Sequence, residues 1–202
     1  DNTAIILTAD HGEEFFEHAY LGHKHDIYAE STHVPLIFKQ PRQSVGKRDA
    51  RLVSLVDLYP TLLELGGCEV PSPTGGVSLL QAKPDKDRAI LYELTTTWGL
   101  TDRTTGERRV DSDQWVGIQT PTHKFVHVLG TSFAQLFDVR NDPADMHALG
   151  PAEGGAIAGA LQQQLSQRLA ELRELAKQWD TGSKATLDET ELQRLRSLGY
   201  LP

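Results

Sequence analysis

The side chains able to carry chemistry are crowded near the start of the chain. Five of its eight histidines, His11, His18, His23, His25 and His33, fall within the first 33 residues. Asp10, Glu13, Glu14, Glu17 and Lys24 lie among them. Asp10-His11 directly follows the apolar run Thr3 to Ala9. A carboxylate oxygen beside an imidazole nitrogen suits zinc, manganese or iron, and suits calcium less well. A plainer reading stands next to it, in which Asp10 caps a following helix and His11 is surface filler. Glu13 and Glu14 read as a helix N-terminal pair favoured by the dipole rather than as ligands. His33, just before an apolar run, reads as packing. His123, His127 and His147 are scattered and take no role.

The elements that must position this cluster can be read from periodicity. Thr3 to Ala9 and Val34 to Phe38 are short apolar runs that suit strands buried on both faces of a parallel sheet. Ligands of such sheets bind beyond the carboxyl ends of the strands, which is where Asp10 falls. Ile27 to Thr32 reads as one helical turn. Leu52 to Val56 is extended, and Asp57 to Leu65 is a helix capped by Asp57, with Pro60 in its first turn. Gly66-Gly67 ends it. Ala89 to Leu94 is a strand and Thr95 to Asp113 a long polar loop. Trp115–Gln119, Lys124–Leu129 and Gln135–Val139 are three short strands of an antiparallel meander. Ala156 to Trp179 is a long helix whose apolar stripe, from Ile157 through Leu165 to Trp179, is expected to lie on the meander. A short final helix begins near Asp188 and stops at Gly199.

Composition bounds the function. The chain has 202 residues, 39% hydrophobic and 24% charged, with 20 Lys plus Arg against 28 Asp plus Glu, a formal charge of −8. That balance argues against a nucleic-acid footprint, which needs a basic face. No apolar run approaches the roughly 20 residues of a membrane span. One cysteine, Cys68, excludes an intrachain disulfide. It reads as a small buried hydrophobe at a helix end.

Several motifs in order resemble one family. Thr8-Ala9-Asp10-His11-Gly12-Glu13, Glu17-His18, Gly22-His23-Lys24-His25, Tyr28-Ala29-Glu30 and Val34-Pro35-Leu36-Ile37 are similar to the C-terminal half of a sulfatase, a member of the alkaline phosphatase superfamily. Val53 to Leu65, Gly75 to Leu80, Leu136-Phe137-Asp138-Val139 with Asp142-Pro143, and a tail from Leu187 to Leu201 like that of bacterial members, follow in the family's order. The resemblance implies an α/β fold: the C-terminal part of a parallel sheet over residues 1–85, then a small antiparallel sheet packed on the long helix over residues 86–202.

The resemblance also implies roles. Asp10 matches the family's metal-binding Asp, and His11 its neighbour, which is Asn in many sulfatases and His in phosphatase-like and phosphonate-ester members. Lys24, four residues before Tyr28, matches the lysine that contacts the substrate sulfate; an ammonium with three donors suits a tetrahedral anion. His25 matches the second histidine of a Gly-His-Gly-His pattern, with a part in catalysis, and His23 is a substrate-binding candidate. His18 reads as structural. The metal is calcium if the enzyme is a sulfatase, and zinc or manganese if it transfers phosphoryl groups. A metal-activated nucleophile attacks sulfur or phosphorus in line, while cationic groups stabilise the equatorial and leaving oxygens.

The nucleophile itself is not found. A sulfatase makes it from Cys or Ser in C/S-x-P-x-R, but Cys68 is followed by Glu69, Val70 and Pro71, one place too late, and no Arg follows in register. The chain also lacks an initiator Met. It therefore reads as the back end of a larger enzyme, expected to be inactive without the N-terminal half of its domain. The substrate is a small-molecule or glycan sulfate ester, and family resemblance leans towards a periplasmic or extracellular place. Two alternatives remain: a phosphodiesterase, phosphonate hydrolase or phosphoglycerol-type transferase, and a non-catalytic binding module. Trp98 reads as an ordinary surface aromatic rather than a sugar-stacking ring.

Overall fold

The computed structural model describes residues 2–81, 87–101, 108–179 and 188–197. Contacts divide the chain into two compact units, Asp1–Leu165 and Ser166–Pro202.

In the first unit, β1 (Ile5–Thr8) pairs antiparallel with β4 (Leu36–Lys39), Ile6 opposite Phe38 and Thr8 opposite Leu36. The expected parallel neighbours are not among the described strands, and neither strand is buried on both faces: Ile5, Leu7 and Ile37 are exposed. The apolar run reported what the strands can bury, and within this unit only one face has something to bury against. Between the two strands stands a hairpin, β2 (Glu14–Phe15) and β3 (Leu21–Gly22), with Glu14 opposite Gly22. This corrects the helix expected to begin at Glu13 and Glu14. The turn passes through Phe16 (φ 74°) and Ala19 (φ 72°), left-handed positions that a helix cannot contain. The short helix α1 (Ala29–Thr32) follows, and His33 donates its N–H back to the Ala29 carbonyl. His33 is exposed rather than packed, because that helix end turns its ring outwards to solvent.

Helix α2 (Leu58–Leu65) begins after a 3₁₀ turn at Leu55–Asp57. Asp57 is buried but does not cap α2 with its side chain as expected; it closes the capping box of the preceding 3₁₀ turn with Ser54 instead. Its carboxylate accepts from the backbone N–H of Ser54 and Val77, both at 2.8 Å, and from Arg88 Nη2 at 2.6 Å. Thr61 Oγ1 accepts from Leu79 N at 2.8 Å. The loop after α2 is thus tied to the helix by side chains of the Asp57 to Thr61 segment. Gly76 permits it: a Cβ there would lie 2.2 Å from the Val56 carbonyl oxygen. Cys68 is exposed, not buried, since Gly66-Gly67 carries the chain off the helix before it.

A four-stranded antiparallel meander follows, β5 (Ile90–Thr101), β6 (Arg108–Gln119), β7 (His123–Val128) and β8 (Ala134–Asp138), in the order 5-6-7-8. The polar loop expected over Thr95 to Asp113 is instead a ribbon that continues β5 and β6 to the pair Thr101–Arg108. Its β-branched threonines favour strand without the apolar alternation that marks a buried face. The Trp98 side chain lies outside the described residues. Ile27 and Tyr28 pack with Val126 and Phe137, and Tyr92, Leu94 and Trp115 surround them. Helix α3 (Pro151–Trp179) starts in this unit, where Leu161 and Leu165 are buried. Gly154 allows its first turn to meet the sheet: a Cβ there would lie 2.7 Å from Leu136 Cδ2.

In the second unit, the end of α3 carries Arg168–Glu171 and Lys177–Glu174 pairs one turn apart. Helix α4 (Glu189–Ser197) opens with a reciprocal cap, Asp188 N–H to Glu191 and Glu191 N–H to Asp188 Oδ1. The stop expected at Gly199 lies outside the described residues. Among the described residues no helix is long and apolar enough to cross a membrane.

Candidate functional site

The loop Ala9 to Glu13 leaves the end of β1 and is pinned on α1. Gly12 N donates to the Ser31 carbonyl at 2.9 Å, and a Cβ on Gly12 would lie 1.8 Å from the Glu30 carbonyl oxygen. Only glycine lets the loop lie so close to that backbone. Asp10 and His11 are thereby presented outwards. Asp10 Oδ1 accepts from the His11 N–H at 3.1 Å, while the Asp10 side chain is 90% exposed. His11 Nδ1 lies 2.7 Å from the Gly12 carbonyl. A carbonyl only accepts, so Nδ1 carries the proton and Nε2 keeps its lone pair. That Nε2 is 3.9 Å from Asp10 Oδ2. One oxygen and one nitrogen with free lone pairs, side by side and open to solvent, form a donor set that fits a divalent ion.

His23 and Lys24 come to the same place. The His23 ring stacks on His11, with centroids 4.1 Å apart. His23 Nδ1 is 3.3 Å from both Glu13 carboxylate oxygens. Lys24 adopts a left-handed backbone, φ 74°. His11, His23 and Lys24 line a cavity of about 180 Å³ together with Tyr92 and Leu94 of β5. The buried Asp26 also lines it. His25 is not in that lining; it stacks on Tyr20, centroids 4.7 Å apart. Of the sequence candidates, the cavity lining includes His11, His23 and Lys24; Asp10 adjoins it through His11, and His25 is not in the lining.

A buried ionic network lies behind the cavity. His18 sits between Glu30, through Nδ1, and the Asp145 carbonyl, 2.9 Å from Nε2. Both partners accept, so the doubly protonated imidazolium satisfies them best. Burial alone would lower the His18 pKa, but the Glu30 hydrogen bond and the Asp145 carbonyl outweigh it and raise it above 6.5. Lys124 Nζ reaches Asp145 Oδ2 at 2.6 Å and Thr32 Oγ1 at 3.2 Å, and sits 4.9 Å from the Tyr92 ring centroid. Burial lowers the Lys124 pKa, against the opposing pull of Asp145. Burial likewise raises the carboxyl pKa of Asp26 and of Glu14. Sequence reasoning missed Lys124, Asp145 and Glu30. The signal present was a lysine inside an otherwise apolar strand run, Lys124-Phe125-Val126, where a solvated lysine has no place.

Residues 16–175 match the family described as N-sulphoglucosamine sulphohydrolase, C-terminal. The chain belongs to the sulfatase family. Among relatives of this sulfatase chain, Arylsulfatase K of Xenopus laevis is 33% identical over 154 residues, covering 71% of this chain and 27% of that protein. The multifunctional alkaline phosphatase superfamily protein PehA of Trinickia caryophylli is 32% identical over 185 residues, covering 84% of this chain and 35% of that protein. The solved structure of BT1596, a 2-O GAG sulfatase, superposes with a TM-score of 0.54 at 26% identity, over 90% of this chain and 37% of that one. The fold is therefore of the alkaline phosphatase type, and the match is to its C-terminal portion. The chain spans about a quarter of the arylsulfatase relatives.

Proposed function

We propose that this chain supplies half of the active site of a metal-dependent hydrolase of sulfate esters. The observation that carries the reading is the cavity shared by His11, His23 and Lys24 next to the Asp10–His11 donor pair. Asp10 and His11 would hold one side of a divalent ion, calcium in a sulfatase. When bound, that ion withdraws charge from the ester oxygens. Lys24 would neutralise a sulfonate oxygen with its ammonium, and His23 would donate a hydrogen bond beside it. His25, with its ring stacked on Tyr20, would take its part in catalysis as the resemblance implies. The other metal ligands and the nucleophile would come from the N-terminal half of the same domain, laid against the exposed faces of β1 and β4. On this reading the 202 residues alone are inactive, and the complete enzyme acts outside the cytoplasm on an aryl or glycan sulfate.

One alternative has a specific observation behind it. His rather than Asn at position 11, which the resemblance associates with phosphatase-like and phosphonate-ester members, favours phosphate or phosphonate esters, with zinc or manganese as the ion. Calorimetric titration of Ca²⁺, Mn²⁺ and Zn²⁺ into the full-length protein and its Asp10→Ala variant tests the metal pair. The expected result is loss of the heat of at least one ion in the variant. Identical heats for both proteins would reject Asp10 as a ligand, and with it the catalytic reading in favour of a binding module.

A further inference from the structure

We infer that His11, Glu13 and His23 form a second metal site, for a borderline transition ion such as Zn²⁺ or Cu²⁺, that competes with Asp10 for His11. One donor atom from each of the three lies within 4.8 Å of the other two. The hairpin places them: Glu14 pairs with Gly22, so Glu13 and His23 stand opposite each other one step on. The stacked His11 and His23 rings bring both imidazoles to the same spot.

The distances that make His23 and Glu13 an ion pair also suit a shared ion. His23 Nδ1 is 3.3 Å from each Glu13 oxygen, an even and long separation. A charge-assisted N–H···O bond closes to about 2.7–2.9 Å. Two donors each about 2.05 Å from a tetrahedral ion stand about 3.3 Å apart. The His23–Glu13 edge therefore already has the spacing of a chelate. The His11 ring is exposed, and one of its nitrogens already lies within 4.8 Å of the other two donors. Its Nδ1–H is already committed to the Gly12 carbonyl, which orients Nε2 as the ligand.

The donor chemistry selects the ion. Two imidazoles and one carboxylate match a three-ligand zinc set and bind Cu²⁺ more tightly still. Calcium wants six to eight oxygens and finds one carboxylate here. His11 has a single free ring nitrogen, so it cannot serve Asp10 and the triad at once. A transition ion in the triad withdraws His11 from the Asp10 pair and disables the presented half-site. This goes beyond the sulfatase reading and does not depend on which ester is cleaved.

Electron paramagnetic resonance of the protein with one equivalent of Cu²⁺, together with Co²⁺ absorption titrations, tests the site without an activity readout. Two ring nitrogens are expected in the Cu²⁺ spectrum, falling to one in His23→Gln. Co²⁺ affinity is expected to fall at least tenfold in Glu13→Gln and His23→Gln and to change less than threefold in Asp10→Asn. All three substitutions are at exposed or half-exposed positions, and Glu13→Gln and Asp10→Asn preserve side-chain shape. A wild-type spectrum with fewer than two nitrogens overturns the inference. So does a Co²⁺ affinity that follows Asp10 and ignores Glu13 and His23, a result that would leave the Asp10–His11 reading standing.

Discussion

Lys124 Nζ lies 2.6 Å from Asp145 Oδ2, and each side chain is only 1% exposed. The pair joins β7 to the loop after β8, and Thr32 on α1 completes the lysine's shell. It thus ties the meander to the segment that carries the candidate site. A buried pair of this kind gains little over an apolar replacement, yet leaves a bare charge when one partner is removed. Lys124→Met should therefore destabilise the fold by about 3–5 kcal/mol. The double variant Lys124→Met/Asp145→Leu should recover most of that loss. Urea unfolding of the three proteins measures both changes, and equal stability of the single and double variants would contradict the account.

His18 makes stability depend on pH. Its folded-state pKa is raised above 6.5, because the bonds to Glu30 and to the Asp145 carbonyl outweigh burial. A raised histidine pKa contributes stability that is fully present below the unfolded value and is lost as pH rises through the folded one. The protein should lose stability on going from pH 6 towards pH 8.5. His18→Gln should flatten that slope while lowering stability at pH 6. Urea midpoints across the range read this directly, and an unchanged slope in the variant would remove His18 from the explanation.

Gly12 is the most constrained position of the site. A methyl group there meets the Glu30 carbonyl oxygen at 1.8 Å, a backbone atom that no side-chain rotation relieves. Gly12→Ala should cost about 3 kcal/mol, the upper end of ordinary overpacking. It should also push the Asp10–His11 loop off α1. Chemical-shift changes centred on Ser31 and His11, with the meander unmoved, are the expected signature.

Much of this was legible in the sequence because it rests on local signals. The meander strands announced themselves by turn residues at regular spacing. The Asp10-His11-Gly12 loop stood out as polar chemistry directly after an apolar run. The Glu13–His18 segment misled, because charged residues followed by phenylalanines read as an amphipathic helix start; the left-handed turns at Phe16 and Ala19 carry no mark in side-chain type. The pairing of residues 95–101 with 108–114 was hidden for a related reason, since strand pairing of polar residues leaves no apolar alternation. His23 stacks on His11 while His25 stacks on Tyr20, and a row of adjacent ligand-type residues says nothing about which of them point together. The Lys124–Asp145 pair joins residues far apart in a three-dimensional core, beyond any local pattern.

The most direct test of the central proposal is hydrolysis by the full-length protein of an aryl sulfate and of the matching aryl phosphate, with wild type and Lys24→Ala compared. The account predicts a higher kcat/KM for the sulfate. It also predicts a loss of at least 100-fold in Lys24→Ala, equivalent to about 2.7 kcal/mol of transition-state stabilisation. Retention of wild-type sulfate hydrolysis in Lys24→Ala, or a preference for the phosphate, would contradict it.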